Sequence, residues 1–184
     1  VIFFKSKLTA TYGDVALKGD PEHAGIQYRP ADEVNRKKTK YLFPKEEITT
    51  GNVKKHKDLA WIAETYWLGD KAHSVVQLNH PGNPKGTVHS AYRDYGRFGS
   101  FFEKEIKKGE TLTVNYAFAI VEGELPSRSE IQEASDMYAE MKERKARVED
   151  ALHATVQISQ DGRLLDVGHA GYGGDAGQVG YAAH

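Results

Sequence analysis

Thr111-Leu112-Thr113-Val114-Asn115-Tyr116-Ala117-Phe118-Ala119-Ile120-Val121 is the stretch that decides the fold. On an extended chain Leu112, Val114, Tyr116, Phe118 and Ile120 point one way, and Thr111, Thr113, Asn115 and Ala117 point the other. Alternation of this length predicts a strand with one buried face, and one-sided burial is the habit of antiparallel sheets. Trp61–Trp67 and His73–Leu78 read the same way. They are rich in aromatic and β-branched residues and are joined across Gly69-Asp70, which predicts a hairpin.

Shorter strands extend the pattern upstream. Leu8–Tyr12 and Val15–Leu17 flank Gly13-Asp14 and read as a second hairpin, while Pro30 ends Gly25–Arg29 and Pro44 ends Lys40–Phe43. Residues 45–58 are charged without a period and read as an exposed excursion. Ser90–Phe102 reads as one strand in which Gly96 and Gly99 mark bulges or close backbone approach, and Lys107-Lys108-Gly109-Glu110 reads as a turn. Residues 1–126 are therefore expected to form an antiparallel β-sandwich.

At Pro126 the period changes. Ser127-Arg128-Ser129-Glu130 has the form of a capping box, and Ile131, Ala134, Tyr138, Met141, Val148 and Leu152 recur at helical intervals. One amphipathic helix is expected over 127–153, packed on the sheet. Within 154–184, Thr155–Ile158 and Leu164–Val167 surround Asp161-Gly162 as a short hairpin. The glycine-rich stretch from Gly168 to His184 is expected to be a flexible tail.

Composition narrows the function classes. The 184 residues carry 25 Lys plus Arg against 26 Asp plus Glu, a net charge of -1, which removes the case for bulk electrostatic binding to nucleic acid. Without cysteine there are neither disulfides nor thiolate metal sites. No apolar run approaches the roughly 20 residues of a membrane helix. The chain opens on Val1-Ile2-Phe3-Phe4, inside an apolar run and with no signal peptide, which suggests a truncated start.

Chemistry concentrates between Asn79 and Gly99. Asn79-His80-Pro81-Gly82-Asn83-Pro84-Lys85-Gly86 is fixed as a loop by its prolines and glycines, and a run dense in imidazole, guanidinium, phenol and carboxylate follows. His80, His89 and Asp94 are the candidate catalytic groups. They would also form a facial triad if a divalent metal is bound, although their spacing matches no ligand motif and a packed His80 is the alternative. Asn79, Arg93, Tyr95 and Arg97 are the candidate substrate-binding groups. Guanidinium forks and aromatic faces suit a carbohydrate cleft, and an Arg–Asp pair tying a bulged strand to its neighbours is the structural alternative. A glycosidase needs two facing carboxylates, for which Asp94 and Glu64 are the nearest candidates. No cofactor motif is evident.

Asn79–Gly86, Arg93–Gly99 and Ile106–Leu112, with Arg29-Pro30-Ala31-Asp32 and Pro126-Ser127-Arg128, resemble a bacterial family of unknown function labelled "PmoA family" or methane oxygenase PmoA. The resemblance runs over about residues 7–141. It implies a β-sandwich preceded by a further β-rich half, periplasmic or secreted, and associated with sugar-degrading functions. The oxygenase label fits badly with a chain that has no spanning helix. The expected function is a carbohydrate-directed domain with a sugar or glycan ligand, either a sugar-processing enzyme or a non-catalytic binding or structural sandwich. A metal-dependent oxygenase-like protein is the third reading, and the oligomeric state stays open.

Overall fold

The structure, a computed structural model, describes residues 1–20 and 22–141. The expected extension of the helix to residue 153, the hairpin within 155–167 and the tail from 168 lie outside the described residues. Ten strands and one helix follow in order: β1 (Ile2–Thr9), β2 (Val15–Leu17), β3 (Ile26–Tyr28), β4 (Lys40–Leu42), β5 (Trp61–Leu68), β6 (Lys71–Asn79), β7 (Val88–His89), β8 (Phe98–Phe101), β9 (Lys104–Ile106), β10 (Thr111–Glu122) and α1 (Arg128–Glu140). A five-stranded sheet has the order β1-β10-β6-β5-β4, a three-stranded sheet the order β3-β8-β7, and β2 pairs with β9. Every pairing is antiparallel. The described residues are mainly β, an antiparallel sandwich followed by the helix α1.

The central hairpin forms as its sequence dictates. Trp61 pairs with Leu78 and Leu68 with Lys71, and Gly69 takes the positive φ of 58° that the first turn position needs. Alternation along β5 then feeds two cores. Trp61 and Ala63 join Val76, Leu78 and Ala117 beneath Ile131 and Tyr138 of α1. Ile62 and Tyr66 join Val75 on the other face, with Phe98 of the three-stranded sheet, Phe43, Ile48 and Val53. The middle of the large sheet is thus covered on both faces, not on one. The β1 edge and the far end of β10 are instead open on both faces, with Ile2, Phe3, Phe4, Ile120 and Val121 exposed.

Four local expectations need correction. Gly13-Asp14 joins no hairpin, because β1 pairs with β10 and β2 with β9. The excursion at 45–58 is not merely exposed, since Ile48 and Val53 are core residues. Ser90–Phe102 is not one strand: β7 pairs with β8, His89 opposite Ser100, and residues 90–97 form the loop between them. On α1, Ser135 rather than Ala134 occupies the buried slot between Ile131 and Tyr138. Gly99 does sit at a close approach, for a Cβ there would lie 2.1 Å from the Ile26 carbonyl oxygen. The capping box of Ser127 and Glu130 is formed. No helix among the described residues is long and apolar enough to cross a membrane.

Candidate functional site

The loop from Asn79 to Gly86 is built as a rigid extension of the sheet. Beyond the last β6–β10 pair, Tyr116 with Asn79, the Asn83 side chain stands in for a strand. Its Nδ2 donates to the Asn115 carbonyl and its Oδ1 accepts from the Asn115 N–H, both at 2.8 Å. Asn83 also donates to Asn79 Oδ1 at 2.8 Å, and Asn79 Nδ2 donates to the Leu59 carbonyl at 3.2 Å. Asn79 therefore spends both ends of its side chain on the scaffold. The far end of the loop is fastened by Asp58, whose carboxylate accepts from the N–H groups of Gly86 (3.1 Å) and Thr87 (3.0 Å). Asp58 holds a φ of 57°, a left-handed backbone that an aspartate tolerates better than most residues.

His80 leaves this loop toward α1. Its Nδ1 accepts from the Gly82 N–H at 3.0 Å, which places the proton of the neutral ring on Nε2. The ring meets Tyr138 edge-on with centroids 5.4 Å apart. Between loop and helix lies a cleft of about 210 Å³ whose polar lining comes from Asp58, Asn79, His80, Lys85, Ser135 and Asp136.

His89 is a different kind of histidine. It is fully buried, its Nε2 accepts from the Leu59 N–H at 3.0 Å, and its Nδ1 lies 3.1 Å from Ser100 Oγ. Since Nε2 accepts, the proton sits on Nδ1 and is donated to Ser100, which also accepts from Gln77 Nε2 at 2.7 Å. Burial lowers the pKa to about 4, with the Asp58 charge pulling weakly the other way. His89 is a neutral core residue closed off from solvent.

The arginine- and tyrosine-rich segment lies on the opposite face of the large sheet from His80. There Tyr92 and Tyr95 pack on the core of Ile62, Tyr66 and Val75, whereas His80 meets the Tyr138 side. Arg93 Nε (3.1 Å) and Arg97 Nη2 (3.2 Å) donate to Glu22 Oε2, and the Tyr92 hydroxyl donates to Glu22 Oε1. The Tyr95 ring carries the guanidinium groups of Arg29 and Arg36, at 5.8 and 5.5 Å from its centroid. Asp94 is exposed, 3.8 Å from Arg36. The constellation of His80, His89 and Asp94 therefore does not assemble. Among the described residues no group of three or more His, Asp or Glu side chains is placed to hold a metal.

Glu64 lies beneath this segment. It is fully buried, and neither carboxyl oxygen has a hydrogen bond. Burial raises its pKa to about 9, opposed in part by the neighbouring Tyr41 hydroxyl. Gly96, at φ 77°, closes over it, and a Cβ there would meet Glu64 Oε2 at 3.3 Å and Pro30 Cγ at 2.8 Å. At neutral pH Glu64 is a carboxylic acid and not a carboxylate.

The sequence alone singles out His80 and Asn79 but not the residues that complete their surroundings. Asp58 and Asp136 carry no motif, Lys85 is named only as one residue of the 79–86 loop, and only the fold brings the three to one cleft. Glu22 is likewise one acid in a polar loop until β3–β8 pairing sets it beside Arg93 and Arg97.

No curated protein and no solved structure matches the chain. The resemblance to the PmoA-labelled family is corrected by the family comparison, which links the chain neither to PmoA nor to methane oxygenase. The expectations of export and of sugar-degrading neighbours rest on that label alone. The chain belongs to DUF6807, a family of unknown function whose model matches residues 1–136.

Proposed function

We propose that the chain is a carbohydrate-directed binding domain that holds a sugar-sized polyhydroxyl unit in the cleft between the 79–86 loop and α1, without turning it over. One observation carries the reading. The cleft offers about 210 Å³ with hydrogen-bonding groups on both walls, Asp58, His80 and Lys85 from the loop side and Ser135 and Asp136 from the helix. Carboxylates accept from sugar hydroxyls while ammonium and imidazole N–H groups donate to them, and a wall already fastened by its own hydrogen bonds loses little entropy on binding. The groups named as catalytic in the sequence are held apart, which favours binding over turnover. Glu64 lends the sugar-processing reading its one supporting observation, an acid protonated at neutral pH. With no exposed surface, it has no path to a substrate.

Calorimetric titration of the full chain with neutral mono- and oligosaccharides tests this. Lys85→Ala and Asp136→Ala, both at exposed positions, should each weaken binding about tenfold, the scale of one charge-assisted hydrogen bond, with the melting temperature unchanged. Unchanged affinity in both variants, or turnover of a bound glycan, would overturn the proposal.

A further inference from the structure

We infer that Tyr92, Arg93 and Arg97 form a recognition site for an external carboxylate, of the kind a uronic acid carries, and that the Glu22 side chain is its resident occupant. The donors converge as a binding site's would. Arg93 and Arg97 both donate to Glu22 Oε2, and Tyr92 donates to Oε1, so both oxygens of one carboxylate are engaged from one loop. Glu22 itself comes from a separate turn, aimed by Asp20, whose Oδ1 accepts from the Glu22 and His23 N–H groups at 2.9 and 3.1 Å. The Tyr92 hydrogen bond first, and then Arg93, hold the Glu22 carboxyl below the usual carboxylate range.

Two further facts separate this arrangement from an ordinary surface ion pair. Arg97 is largely buried, its side chain 14% exposed, yet its buried Nε–H has no acceptor. A donor left unpaired in such a place costs stability unless something else uses it. The charge is also unbalanced. Two cations, Arg93 and Arg97, share the single charge of Glu22, and Lys54 stands over the Tyr92 ring with Nζ 4.1 Å from the centroid. Asp94, the next acid along the loop, lies by Arg36 instead. An incoming carboxylate that displaces Glu22 keeps the two-pronged contacts, and its own hydroxyl groups can reach the unused Arg97 donor and Lys54. This site is separate from the cleft beside His80 and does not depend on the reading proposed for it.

The test compares the full wild-type chain with Glu22→Ala and Glu22→Gln, titrated with D-glucuronate, D-glucose and inorganic phosphate at equal ionic strength. D-Glucuronate should bind both variants about tenfold or more tighter than wild type, because the internal competitor is gone. It should also raise the melting temperature that the lost ion pairs lower. D-Glucose should show no such gain, and adding Arg93→Ala to Glu22→Ala should abolish it. Glu22→Gln keeps the shape of the side chain and serves if Glu22→Ala does not fold. Equal glucuronate affinity in wild type and both variants would overturn the inference, and so would a gain for phosphate matching that for glucuronate. The gain that Glu22→Ala brings should be the same with and without Lys85→Ala, so failure of the cleft reading is read separately.

Discussion

Glu64 sits directly opposite Tyr41 in the β4–β5 ladder, yet the Tyr41 hydroxyl gives its proton to the carbonyl of Arg93 at 2.8 Å. The acid is left in an apolar layer without a donor of its own. The loop above it is fastened through that same hydroxyl, which lies 3.2 Å from the Arg97 carbonyl as well.

A pH dependence follows. The Glu64 pKa rises from the usual 4.5 to about 9 in the folded chain. Its favourable protonated state is fully available below about pH 4.5, and the stabilisation is lost as pH rises through 9. Glu64→Gln removes the ionisation. Urea midpoints for wild type and variant should diverge steadily from pH 5 to pH 9, the wild type losing on the order of a few kcal/mol against the variant. Parallel profiles would show that Glu64 ionises freely in the fold.

His89 gives the opposite slope. Its pKa falls from the usual 6.5 to about 4, so its contribution is complete above pH 6.5 and is lost as pH drops through 4. His89→Gln should flatten the acid limb of the stability curve between those values. His89→Leu should also cost about 1–3 kcal/mol at pH 7, because the Leu59 N–H loses its acceptor. Two-state urea titrations at pH 4.5 and 7 check both expectations.

The helix face offers a packing test. Ile131 is 2% exposed against the Trp61–Ala63 face of the sheet, while Glu133 on the same helix is exposed. Ile131→Ala should cost about 2–4 kcal/mol by leaving a cavity, and Glu133→Ala should change stability by less than about 0.5 kcal/mol. Thermal melts of the two variants decide whether the helix stripe is assigned correctly.

The parts of the fold legible in the sequence are those whose signal is local. The β5–β6 hairpin, the long strand β10, the Lys107–Glu110 turn and the Ser127 capping box each carry their pattern within a dozen residues. Gly13-Asp14 misleads because turn chemistry says nothing about which distant strand is the better partner. Thr111–Glu122 captures β1 over its whole length, and β2 goes to β9. Ser90–Gly96 misleads for a related reason. Alternation among Tyr92, Arg93, Asp94 and Tyr95 looks like a strand, but the ion pairs to Glu22 and the positive φ of Gly96 hold it as a loop. The Asn79–Gly86 loop is recognisable as special, but not that its asparagines serve the scaffold, since that follows from Asn115 lying across from Asn83. His80 and His89 look equivalent in the sequence. Only the layering of two sheets and a helix puts one beside a cleft and the other in the core.

The most direct measurement is a two-dimensional NMR titration of the full chain with the best-binding neutral sugar, following histidine ring and backbone amide resonances together. Ligand in the cleft should shift the His80 ring and the amides of Lys85, Ser135 and Asp136, and leave the His89 ring and the amides of Tyr92–Arg97 unmoved. Shifts confined to Tyr92–Arg97, with the His80 ring unmoved at saturation, would contradict the assignment of the cleft as the sugar-binding site.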